Sequence, residues 1–188
     1  MDEAKAHEDA LAPRTSVAAT AAPFVNEEYG IHAVFPGGVR VCESLSGDHP
    51  QGFYSRLGDR RIVCGASRDL PKTTAIVVLA SYNAAFYETM EQVTGPDCPK
   101  LNPTEADGRR LGFPGFDSTV CEVRRPDGEV EIGVHAFGGS WEDEPGHTVP
   151  HVVYSAYLSS TAATEAADRA TFQRFMDQVR LTPPAPAT

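Results

Sequence analysis

Four cysteines, Cys42, Cys64, Cys98 and Cys121, constrain this chain more than any other feature. No two of them form a Cys-x-x-Cys pair. A structural zinc site draws two ligands from such a knuckle, and a thioredoxin-like redox centre is built on it. Two disulfides are the simplest remaining use, and they imply an oxidising compartment. Three pairings are possible. Cys42–Cys64 and Cys98–Cys121 are favoured, because each closes a local loop between neighbouring strands, worth about 3 kcal/mol in the chain-entropy description. The competing reading is four buried thiols in a cytosolic protein. The residues after Met1, Asp2-Glu3-Ala4-Lys5, have the wrong charge for a secretory leader, and no apolar h-region follows. The cysteines nevertheless lead us to expect a periplasmic or extracellular protein whose leader, with a possible lipid tether upstream, lies ahead of this sequence.

With 188 residues, 41% of them apolar, the chain suits one domain with a real core. Its longest apolar run, Thr73 to Ala85, is too short for a transmembrane segment and contains Ser81, Tyr82 and Asn83. Acidic residues exceed basic ones by 26 to 16, a net charge of −10. That argues against sequence-independent nucleic-acid binding, which needs cations to displace phosphate counterions. It favours cationic partners.

Residues 1–23 read as a linker or tether, with a short helix over Asp2 to Leu11 that Pro13 stops. Residues 24–182 read as one domain and 183–188 as a tail. Strands are expected over Tyr29–Phe35, Val39–Leu45, Arg61–Ala66 and Thr73–Ala80. Ala84 to Val93 reads as a helix with Phe86, Met90 and Val93 on one face, ended by Gly95-Pro96. Phe116–Arg124 and Glu129–Phe137 alternate as half-buried strands around the hairpin turn Pro126-Asp127-Gly128. Gly138 to Pro150 reads as a long acidic loop, and His151–Leu158 as a further strand. Ser159, Ser160 or Thr161 can cap a last helix whose Phe172, Phe175, Met176 and Val179 make an apolar stripe. The order predicts an α+β fold, a mainly antiparallel sheet covered by helices.

Tyr29-Gly30-Ile31-x-x-x-Phe35-Pro36 and Phe172-x-x-Phe175-Met176-x-x-Val179-Arg180-Leu181 resemble the opening and closing motifs of PsbP-like domains. The resemblance implies an α/β/α sandwich over residues 24–182, used as a binding or accessory module rather than an enzyme. No functional residue is carried over from it.

Three groups are candidate sites. His135, His147 and His151, with Asp143 and Glu144 near, contain the donor types of a divalent-metal site, although ordinary exposed histidines explain them as well. Asp48-His49 in Gly47-Asp48-His49-Pro50 has the elements of an oriented general base, or equally of an Asx turn. Trp141 with Glu142, Asp143 and Glu144 suits an anchor for a basic protein, unless the indole folds back onto the sheet. No G-x-x-x-x-G-K-[ST], G-x-G-x-x-G, H-E-x-x-H or G-x-S-x-G occurs, and no cofactor is expected. The leading expectation is a non-catalytic protein-binding module, an immunity-type inhibitor of a secreted toxin or an accessory subunit. A hydrolase or metal-dependent enzyme built on the His/Asp loops, and a small-ligand carrier with a pocket between sheet and helix, are the alternatives.

Overall fold

The computed structural model describes residues 15–17, 23–44, 50–57, 64, 75–96, 98 and 111–185. Its strands are β1 (Thr15–Val17), β2 (Phe24–Asn26), β3 (Ile31–Ala33), β4 (Arg40–Ser44), β5 (Gln51–Arg56), β6 (Ala75–Tyr82), β7 (Ser118–Arg124), β8 (Glu129–Glu144), β9 (His147–Thr161) and β10 (Arg180–Leu181). Its helices are α1 (Met90–Thr94) and α2 (Glu165–Met176). Seven strands make one antiparallel sheet in the order β1-β4-β5-β6-β9-β8-β7, and three short ones make a second, β10-β3-β2. The expected short helix over Asp2 to Leu11 and the strand Arg61–Ala66 lie outside the described residues, apart from Cys64. Thr15–Val17, within the stretch read as linker, pairs with β4.

The chain is mainly β, which corrects the expected α+β, helix-covered α/β/α sandwich. Two sequence segments account for the difference. Ala84–Val93 was expected to be helical, but Thr89 and Gln92 form a reciprocal capping box that starts the helix only at Met90. Gly138–Pro150 was expected to be a loop, but it continues β8 and β9, which run 16 and 15 residues. Ser159, Ser160 and Thr161 end β9 rather than cap α2, whose N-cap is Thr164. Ser160 Oγ instead donates to Asp168 in the first turn of α2, 2.6 Å away.

One face of the large sheet carries the core. Val41, Phe53, Ile76, Val78, Ile132 and Tyr154 pack there against Ile31 and Phe35 from the small-sheet side and Phe172, Phe175 and Met176 from α2. The alternation expected for β8 holds on this face: Val130, Ile132, Val134 and Ala136 are all buried. The α2 stripe is buried as well, and Phe175 meets Phe35 with ring centroids 4.8 Å apart. After α2 the chain closes onto β3, where Thr182 N donates to Gly30 O at 2.8 Å. Gly30 sits at φ +63°, and a Cβ there would lie 1.8 Å from Thr182 O, so glycine is what permits the approach. Tyr154 crosses the core to donate its hydroxyl to Tyr29 O at 2.6 Å.

The opposite face holds the disulfides. Strand register lines up Cys42, Tyr54, Val77, Tyr157, Gly133 and Cys121 in one row from β4 to β7. Cys42 is bonded to Cys64 and Cys121 to Cys98, each with Cα atoms 5.4 Å apart. The two bonds therefore fasten the β5–β6 and α1–β7 connections to the same face from opposite ends of one row. No helix among the described residues is long and apolar enough to cross a membrane.

Candidate functional site

Beyond Val152, the last partner of β6, β8 and β9 continue as a two-stranded ribbon. The pairing shifts between Glu142 and Glu144, and Gly146 closes the turn at φ +83°. An isolated ribbon is marginal in water and needs a neighbour. Residues 83–88 supply it. Asn83 is buried and satisfied: its Nδ2 donates to Pro150 O at 2.9 Å and to Tyr87 O at 2.8 Å, and its Oδ1 accepts from Tyr87 N at 2.9 Å. Asn83 N also donates to His151 O. Asn83 thus ties the ribbon to a tight loop that turns Phe86 to φ +55°. That conformation costs an L-residue of this size free energy and marks a locally enforced position.

The loop sets Phe86 on Trp141, with centroids 5.6 Å apart and planes 13° from parallel. His151 lies 6.1 Å from Trp141 and 5.1 Å from Tyr82. Tyr82, Asn83, Ala84, Phe86, Trp141, His151 and Ala185 line an open, mostly apolar groove of about 430 Å³. Phe86 and Tyr82 keep 47% and 43% of their surface exposed, high for large apolar rings lining one groove. Trp141 is half-buried on a strand. It neither projects from a loop nor disappears into the sheet.

The two segments that build the groove carry charge of one sign. The segments 82–96 and 138–152 carry Glu88, Glu91, Glu142, Asp143 and Glu144 and no lysine or arginine. Glu142 and Glu144 are exposed and Asp143 half-buried. Glu142 accepts from Gly146 N across the turn. Asp143 Oδ1 lies 2.7 Å from His147 Nδ1, and Glu88 lies 3.6 Å from His147 Nε2. The hydrogen bond and charge of Asp143 hold the exposed His147 above its ordinary pKa, with Glu88 and Glu144 adding to the effect.

The three histidines of the metal hypothesis do not converge. His135 pairs with Ser155, four residues along β9 from His151, which is roughly 13 Å at the strand rise. His147 lies four residues further on, at the ribbon tip. Among the described residues no three His, Cys, Asp or Glu side chains form a group able to hold a metal ion. Asp48 and His49 lie outside the described residues. His135 is not on an open polar face: it is only 7% exposed, with Nδ1 2.9 Å from Ser155 Oγ and Tyr157 edge-on at 5.4 Å. Burial alone pushes its pKa down to about 4, and among the described residues no carboxylate orients the ring as a base.

That burial has a pH signature. In the unfolded chain His135 titrates near 6.5, and in the fold near 4. The unfolded state therefore binds more protons across this window. Stability is full above pH 6.5 and falls as pH drops toward 4, by about 3 kcal/mol in total from this group. Urea unfolding at pH 7.5 and pH 4.5 should show that loss, and His135→Gln should remove most of this group's part of it. Equal acid sensitivity in both proteins would contradict the assignment.

Sequence reading found Trp141 and its acidic neighbours but missed Tyr82, Asn83 and Phe86. The Thr89-x-x-Gln92 pattern was the available signal, because it puts Phe86 ahead of the helix rather than on its face. No protein-family model matches the chain, and neither the curated proteins nor the solved structures yield a match.

Proposed function

We propose that this protein is an exported, non-catalytic protein-binding module that takes a basic partner at the ribbon groove. The observation that carries this reading is an aromatic groove with Tyr82 and Phe86 exposed and Phe86 held by a strained loop, in two segments that carry five carboxylates and no lysine or arginine. Aromatic anchors with complementary charge are the usual source of affinity and encounter rate at protein interfaces. The two disulfides support an oxidising compartment, periplasmic or extracellular. An immunity-type inhibitor of a cationic secreted toxin, or an accessory subunit of a basic enzyme, fits these features. The small-ligand carrier expected a pocket between sheet and helix. The groove instead opens at the ribbon, where flat rings face solvent.

The test is a cationic secreted protein encoded beside this chain, titrated calorimetrically against the disulfide-bonded protein. Trp141→Ala combined with Asp143→Lys and Glu144→Lys should weaken binding about 100-fold, as for loss of a central aromatic anchor plus its steering charges. Unchanged affinity would show that the surface lies elsewhere.

A further inference from the structure

We infer that the group recognised in the groove is an arginine side chain of the partner. The inference rests on the protein-binding reading and narrows it from a basic surface to one functional group.

The rings come first. Phe86 stacks on Trp141 with the two planes 13° from parallel, and its exposure leaves room for a further planar group to extend the stack. His151 is tilted 30° from Trp141, and Tyr82 is tilted 32° from His151. The π-face of each ring carries negative charge density and attracts a cation laid upon it. An apolar side chain would fill such a platform but would leave the carboxylates beside it unanswered.

The carboxylates come second. Asp143 stands two residues along β8 from Trp141, and Glu88 two residues beyond Phe86. Both reach the same imidazole, that of His147. They are therefore close enough to share one cation. His147 is a weak holder of that place, since it is exposed and charged only when protonated.

Geometry then separates arginine from lysine. A guanidinium is planar and weakly hydrated, so it can stack on the exposed Phe86 ring while its N–H edge points in plane at a carboxylate. A lysine ammonium is a compact, strongly hydrated point charge and gains less from a flat surface. A groove selecting on charge alone would not discriminate between them.

Trp141 is the only tryptophan, so its emission reports on the groove directly. The disulfide-bonded protein is titrated at pH 8, where His147 competes least, with capped Gly-Arg-Arg-Gly, Gly-Lys-Lys-Gly and Gly-citrulline-citrulline-Gly peptides. A saturable change with the arginine peptide in the millimolar range is expected, about fivefold tighter than with lysine, and none with neutral citrulline. Phe86→Ala should weaken the arginine response about tenfold, and Glu88→Gln should weaken it severalfold while keeping both rings. Unchanged thermal melting of Glu88→Gln shows that the fold persists. Equal binding of arginine and lysine, binding of citrulline, or no saturable response overturns the inference. If a cationic partner still depends on Trp141 while the peptides do not bind, arginine recognition fails alone and the protein-binding reading stands.

Discussion

Reduction of Cys42–Cys64 and Cys98–Cys121 should lower the unfolding free energy by about 6 kcal/mol, about 3 for each bond. A domain of this size is typically stable by only about 5–15 kcal/mol, so the reduced chain sits close to unfolding. The stabilisation is geometric as well as entropic. Each bond closes a loop of moderate length, with sequence separations of 22 and 23 residues. Each also anchors that loop to a strand of the large sheet, and cutting it returns to the unfolded chain the freedom that loop closure removes. Urea unfolding with and without reductant measures the difference, and Cys98→Ser with Cys121→Ser isolates one half of it. Ready alkylation of all four thiols in the unreduced native protein would refute both the bonds and the oxidising compartment.

Phe175→Ala should cost about 4 kcal/mol, the upper range for truncating a buried aromatic ring. Phe175 is 1% exposed and lies between Phe35, 4.8 Å away, and Phe172, 6.2 Å away. Its removal leaves a cavity where α2 and the small sheet meet the large one. The melting temperature should drop by about 10 °C for a domain of this size. Phe86→Ala is the control. That ring is 47% exposed and strained, so its loss should change stability by less than about 1 kcal/mol. A similar drop for both rings would mean that Phe86 is part of the core and not of a binding surface.

The sequence made the buried stripe of α2 and the alternation of β8 legible because both are local periodicities that burial enforces. The local disulfide pairings followed from loop closure between neighbours. The ribbon was not legible in the same way. Gly138, Gly139, Pro145 and Gly146 are turn formers, yet here two of them lie inside a strand and two make its hairpin turn. Cross-strand pairing with Thr148–Val152 overrides their local preference. Phe86 was misplaced because apolar spacing of three and four residues suits a helix even where a capping box begins the helix later. The groove itself joins residues 82–86 to residues 141 and 151, and no local pattern announces such a meeting. The α/β/α expectation failed for a related reason. Part of the apolar face expected to need helices is covered by three short strands drawn from the two ends of the domain.

The position of β9 between β6 and β8 sets an order of events for the growing chain. β8 and β9 meet through a tight turn, and hairpins of that kind close within microseconds. β6 must wait, because Ala80 finds Tyr154 only after most of the sequence has emerged. Until then Ala75–Tyr82, the most apolar strand, offers an unpaired edge to other nascent molecules. Soluble yield should therefore depend on how long that edge stays open, and shielding it until residues 147–161 have emerged should raise that yield.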